Sequence, residues 1–207
     1  MHRPFVFIVL TIILISSACI TVNVPIGGDP ESTATVWTVE PDRMDTWSVS
    51  TNYIVQIKDF SSSQSVQGVQ MIVLNEDGTI NKTATDIWSS RPVELLPDIL
   101  HRDMISVGAW GAVLRKSTLL PENLVVEGFV REFGGRVVPG GWEAVLDVDV
   151  TVLNGDDYNL VFQENYRFHW ELSEPSYSRL AGAMNILVEI WCEEVMGDIW
   201  SAMLPIR

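Results

Sequence analysis

Five stretches of the chain place apolar residues at every second position, and two place them at every third or fourth. The first kind comprises "VSTNYIVQIKDF", "VQGVQMIVLNEDGTI", "NLVVEGFVREF", "WEAVLDVDVTVL" and "LVFQENYRFHWEL". In the first, Val49, Thr51, Tyr53, Val55 and Ile57 share one face of a strand. The second runs into Asp77-Gly78, a turn signal for a hairpin. The last three form an antiparallel meander. Its middle strand sets Ala144, Leu146, Val148, Val150 and Val152 against Asp147, Asp149 and Thr151, and it ends at the Asn154-Gly155 turn. In its third strand Tyr166, Phe168, Trp170 and Leu172 oppose Asn165, Arg167, His169 and Glu171. Its first strand is expected to end at Gly134-Gly135, with "GGRVVPGG" as the hairpin connection.

Helical spacing marks the other two stretches. Val93, Leu96, Ile99, Leu100 and Met104 recur along "SSRPVELLPDILHRDMISVGAW". Ser89 or Ser90 is the expected N-cap, Pro92 lies in the first turn, Pro97 kinks the helix or marks its true start, and Gly108 ends it. The final segment carries Leu180, Ala183, Met184, Leu187, Val188, Trp191, Val195 and Ile199 on one stripe, with Ser176 or Ser178 as cap. Strand, helix, meander and helix predict an α+β fold: an antiparallel β-sheet packed on one face by two amphipathic helices.

The first 34 residues follow neither pattern. His2 and Arg3 precede an apolar run from Phe5 to Ile15, and Ser16, Ser17 and Ala18 then lead to Cys19. A basic start, a short apolar run and small residues describe an export signal. A membrane-spanning helix needs about 20 apolar residues, so a span, the second reading, must stretch through both serines to Val24 and accept Asn23 inside it. Small residues directly before Cys19 resemble the lipobox of bacterial lipoproteins, where the leader is cut before the Cys and the sulfur is acylated. Acyl chains anchor a protein through about 0.8 kcal/mol per buried CH₂ group. Ser16 stands where lipoboxes usually carry Leu, and Ser16 with Ala18 also fits ordinary signal-peptidase cutting, which leaves Cys19 unacylated. Ile20 follows the Cys, and an Asp there favours inner-membrane retention in enterobacterial lipoproteins. The expected location is therefore a periplasm-facing surface of the envelope, leaning to the outer membrane. Residues 1–18 read as signal peptide, 19–34 as acylated Cys and flexible tether rich in Gly, Pro, Ser and Thr, and 35–207 as one folded domain.

Charge narrows the partners. Formal charge is −14 and becomes −15 when Arg3 leaves with the leader, and no Lys/Arg cluster interrupts it. Nucleic acid and anionic headgroups are repelled by such a surface, so membrane attachment falls to the acyl anchor. With Cys19 acylated, Cys192 has no disulfide partner and reads as a buried structural thiol in a helix; a Cys19–Cys192 bridge stays open if acylation fails.

Catalytic patterns are few. His2 leaves with the leader, His101 reads as a solvent-facing helix residue, and His169 as a member of a cross-strand polar pair. The chain has no GxSxG, HExxH or CxxC, and "GGRVVPGG" lacks the Lys-Ser/Thr ending of a phosphate loop. Asp147, Asp149, Asp156 and Asp157 lack the spacing of a calcium loop, and no cofactor or metal is expected. Eight tryptophans are the remaining oddity; Trp200, with Met203 and Leu204, is the candidate exposed patch for partner or lipid contact.

The order of elements resembles the ABC-type transport auxiliary lipoprotein component family, the paraquat-inducible-type lipoproteins. The segments that carry the resemblance are "WSSRPVELLPDILHRDM", "LVVEGFVREFGG", "WEAVLDVDVTVL" and "YRFHWELSEPSYSRLAGAMNILVEI". They hold an aromatic–Arg–Pro helix start, Gly128, Val130 and Phe133 in a strand, an A-V-L-x-V strand from Ala144, and Ala183-Met184-Asn185 in the last helix. The match covers residues 50–190. The resemblance implies a non-catalytic part of a lipid-trafficking machine. Its partners would be a mammalian-cell-entry-domain protein that bridges the envelope and an ABC permease and ATPase, and Cys19 is the one site carried over. Assembly of copies into a ring or dimer stays open. A second expectation is a periplasmic chaperone that carries an acyl chain in a groove between helices and sheet; a third is a hydrolase using a serine near His169.

Overall fold

The computed structural model describes residues 33–115 and 119–203, together with the backbone of Val24–Pro25. Cys19 and Leu204 lie outside the described residues, as does His2. Among the described residues ten strands and two long helices follow in order: β1 Val24–Pro25, β2 Thr33–Trp37, β3 Ile54–Ile57, β4 Ser61–Ser62, β5 Gln70–Leu74, β6 Ile80–Trp88, α1 Pro92–Val107, β7 Ala112–Leu114, β8 Leu124–Val138, β9 Gly141–Asn154, β10 Leu160–Glu171 and α2 Tyr177–Met203. The fold is α+β, as the two periodicities require. Ala34, one residue before the expected start of the domain, lies in β2 and is buried.

β8 is the spine of the sheet. One edge pairs antiparallel with β9, which pairs antiparallel with β10, giving the meander. The other edge takes β3, β4 and β5 in succession, all parallel. β3 also pairs parallel with β7, and β2 with β6. The sheet is therefore mixed, not antiparallel. The three hairpins are legible because their turns are local. The parallel partners are not, because they lie tens of residues away and a two-residue period is the same for both ladder types. β3 is also shorter than its alternation suggests. Val49 and Tyr53 are exposed, and the chain before Ile54 is held in a loop by Thr51 N–H to Ala109 O at 2.8 Å.

β8 runs straight through Gly134-Gly135 to Val138, so the expected strand end there is corrected; the turn is Pro139-Gly140 alone. The reason is close approach. A Cβ at Gly134 would sit 2.7 Å from the backbone oxygen of Ile72 on β5, so the glycine is where a neighbouring strand crosses, not where this one stops.

α1 begins at Pro92 and continues through Pro97, which is buried and does not mark the start. Its N-cap is Arg91 rather than a serine. Glu94 accepts the Arg91 backbone N–H at 3.3 Å and the Ser90 hydroxyl at 2.6 Å, and it pairs with the Arg91 guanidinium. That guanidinium first, then the Ser90 hydroxyl, hold the Glu94 carboxyl down at about 2. Gly108, in the left-handed region at φ 68°, closes the helix. Ser176 caps α2, accepting the Arg179 N–H at 3.3 Å. All eight predicted stripe residues of α2 are buried. They join one apolar cluster with Leu96, Leu100 and Met104 of α1 and with Leu146, Val148 and Val150 of β9.

Candidate docking surfaces

Three places in the fold hold the residues singled out by sequence. The first is the end of the molecule where both helices finish. The Trp47 ring lies 5.7 Å from Trp110 and 5.9 Å from Trp200, and Trp200 lies 6.5 Å from Trp110. Trp110 follows α1, Trp200 ends α2, and Trp47 is fixed by its backbone N–H to Val107 O at 3.0 Å. Trp200 and Met203 are therefore half-buried against the core, which corrects the expectation of an exposed patch. Edge-on packing of large rings removes more water-exposed area than a lone terminal Trp can keep.

The apolar surface at this end lies instead around that cluster, on loops. Backbone bonds tie the loops together: Gly111 N–H to Tyr53 O, Asn123 N–H to Ile54 O and Gly155 N–H to Asn123 O. On them stand Val49, Tyr53, Leu119 and Tyr158, the last 57% exposed, with Ile105 of α1 and Leu160 of β10 beside them. No sequence periodicity signals such a rim, because its members come from separate turns.

The second place is the outer face of the meander. Asp147, Asp149 and Glu143 stand there, each with a cation: Arg167 at 3.5 Å from Asp147, Arg131 on Asp149, and Arg136 with His169 near Glu143. Asn165 bridges Asp147 and Asp149 through its amide at 2.8 and 2.9 Å. Between this face and the segment after β3 lies a polar groove of about 350 Å³ lined by Asp59, Ser61, Glu127, Phe129, Asp149 and Thr151. Its carboxylates suit neither an acyl chain nor an anionic headgroup. Among the described residues no group of three His, Cys, Asp or Glu side chains converges as a metal site. His169 sits on this face with its Nδ1 3.2 Å from Glu143 Oε1, the cross-strand pair expected of it.

The third place is the seam between the helices. Cys192 is buried, and burial first, then the neighbouring Asp103 carboxylate, push its thiol well above the ordinary value. Asp103 is fully buried on α1 and pairs with Arg102 at 2.7 Å, which also donates to Pro41 O. His101 does not face solvent alone: its Nε2 lies 3.2 Å from Val113 O on β7. These contacts tie α1 to the loop before β3 and to β7.

No family model matches the chain, and no curated protein does. Solved structures are similar to it. Protein XCC0632 from Xanthomonas campestris, described under the family model DUF330, superposes with a TM-score of 0.73 over 82% of this chain and 95% of that one, at 15% identity. The hypothetical protein CT253 from Chlamydia trachomatis gives 0.53 over 72% and 96%, at 10% identity. These likenesses are of fold.

Proposed function

We propose that the protein is a non-catalytic envelope lipoprotein that docks the periplasm-spanning component of an ABC/mammalian-cell-entry-type lipid transport system at a membrane. The Cys19 signal and the family resemblance of residues 50–190 supply the setting. One structural observation supports the docking role: Val49, Tyr53, Leu119 and Tyr158 are exposed on loops that backbone hydrogen bonds join beside the Trp47–Trp110–Trp200 cluster. An apolar patch rimmed by polar residues is what a protein contact uses. The rim here is acidic, with Asp45, Glu122, Asp156 and Asp157 on the same loops.

The reading takes both helices to lie on one face of the sheet, leaving the outer face and the loop end free. The acyl-carrier alternative has less support. Met184, Leu187 and Trp191 fill the space between α2 and the sheet, each at most 1% exposed.

Two measurements test the role. Intact mass of the membrane-extracted protein should show cleavage before Cys19 and an added fatty-acyl mass. Affinity capture from solubilised membranes should recover the mammalian-cell-entry protein, and serine at Tyr53, Ile105 and Tyr158 together should reduce that recovery severalfold with the fold intact. Capture that brings down no transporter component would remove the docking role.

A further inference from the structure

β10 is a long edge. Among the described residues it pairs with β9 alone, through eleven of its twelve residues, Val161 standing out at a bulge. Leu172 N–H donates to Trp142 O, so by antiparallel alternation the even-numbered residues of β10 turn their backbone groups toward β9. Gln163, Asn165, Arg167 and His169 turn theirs outward. Phe162, Glu164, Tyr166, Phe168 and Trp170 place their side chains on the helix side, opposite Val152, Val150, Val148, Leu146 and Ala144.

α2 runs beside this edge in the opposite sense. Near its start the Tyr177 ring meets Trp142, at the far end of β10; near its finish Asp198 accepts the Tyr166 hydroxyl at 2.7 Å. Stepping back from Asp198 by one turn each gives Glu194, Ile190 and Ile186, a single stripe along the edge. Burial first, then Asp198, raise the Tyr166 phenol strongly, with Glu164 and Glu194 adding to it, so the three carboxylates stand around that ring. The flank is thus divided. Phe168, Trp170, Ile186 and Ile190 make one half apolar, and Glu164, Glu194 and Asp198 make the other acidic, with no Lys or Arg among these positions. Trp170 is 43% exposed and Ile186 36%.

We propose that the β10 edge and the α2 flank receive an extended segment of a partner protein as an added strand, with basic side chains over Glu164, Glu194 and Asp198 and aliphatic ones over Phe168, Trp170 and Ile186. Backbone pairing gives the affinity in such strand addition, and alternate side chains give the selectivity. Charge decides the occupant. A second copy brings the same carboxylates to the joint, and a bilayer satisfies none of the outward backbone groups. The inference goes beyond the docking role by adding a second contact surface of defined chemistry.

The test uses the mature chain and labelled ten-residue peptides that alternate threonine with Lys, Lys, Val, Ile and Val, in that order and reversed, with Glu-for-Lys counterparts. One Lys peptide should bind at least tenfold more tightly than its Glu counterpart, and the double variant Glu164→Lys/Glu194→Lys should reverse that preference. Binding should slow amide exchange at Gln163, Asn165, Arg167 and His169. Gln163→Pro removes one outward backbone N–H and no backbone bond to β9, but it also loses the side-chain bond to Thr151 Oγ1 at 3.2 Å. Gln163→Ala loses that same side-chain bond and keeps the N–H, so Gln163→Pro should abolish binding while its circular dichroism and melting curve match those of Gln163→Ala, which should still bind. Failure of both Lys peptides to bind at millimolar concentration, indifference to peptide charge, or binding unaffected by Gln163→Pro overturns the proposal. So does sedimentation showing a dimer that Gln163→Pro dissolves, which assigns the edge to a second copy. If membrane capture still recovers the transporter component in those cases, the docking role stands without this surface.

Discussion

The two sides of β9 carry opposite chemistry, one in the core and one toward solvent. On the helix side Ala144, Leu146, Val148, Val150 and Val152 are wholly buried. On the outer side Glu143, Asp147 and Asp149 hold arginines across the strands, although Val145 there is buried too. One strand thus serves as core and as hydrated surface within a single residue step. The lesson concerns the acidic residues. Read along the chain, "LDVDV" shows only two carboxylates on the polar side of a strand; read in the sheet, both are held by neighbours on β8 and β10. The charge on this side stabilises little, whereas the apolar side carries the stability.

That contrast can be broken most sharply from the apolar side. Leu146→Ala should cost about 2–5 kcal/mol, the transfer term plus the cavity left behind α2, measured as a fall in the urea midpoint with an unchanged slope. Gly128→Ala comes next. A Cβ there would meet the Phe60 ring at 2.5 Å, and that ring stands edge-on to Trp191 at 6.2 Å. Overpacking of this kind costs about 1–3 kcal/mol. A crystal structure or ring-current shifts of the Trp191 protons should show the aromatic pair displaced. Arg131→Gln, on the outer side, should have the smallest effect. It removes an exposed guanidinium from half-buried Asp149, which keeps the Asn165 amide as donor, so the loss of stability should be about 0–1 kcal/mol and should shrink in high salt. A loss as large as that of Leu146→Ala would invert the comparison.

The legible parts of the fold are those in which cause and effect are close in the chain. Asp77-Gly78 closes the β5–β6 hairpin, Asn154-Gly155 opens the β9–β10 connection, and Ser176 caps α2, all as local turn and cap chemistry predicts. Gly134-Gly135 misled because a glycine pair marks either a turn or a crossing strand, and only the position of Ile72 distinguishes them. Ser90 misled in a smaller way. Its hydroxyl reaches the helix start through Glu94, not directly. Trp200 misled because its place near the C-terminus says nothing of Trp47 and Trp110, which meet it from loops far away in sequence.

What the sequence determined by itself was the set of local commitments: which segments are strands or helices, which stripe of α2 is apolar, and the acidic net charge. Periodicity and composition are properties of neighbouring residues, so they need no partner to be read. Tertiary structure alone decided that β8 collects three short parallel strands on one edge, that Glu143, Asp147 and Asp149 on the outer side each meet an arginine, and that β10 keeps an open edge beside a flank half apolar and half acidic. Each of these depends on which distant segments pack together, and that is set by the burial of the whole apolar surface at once.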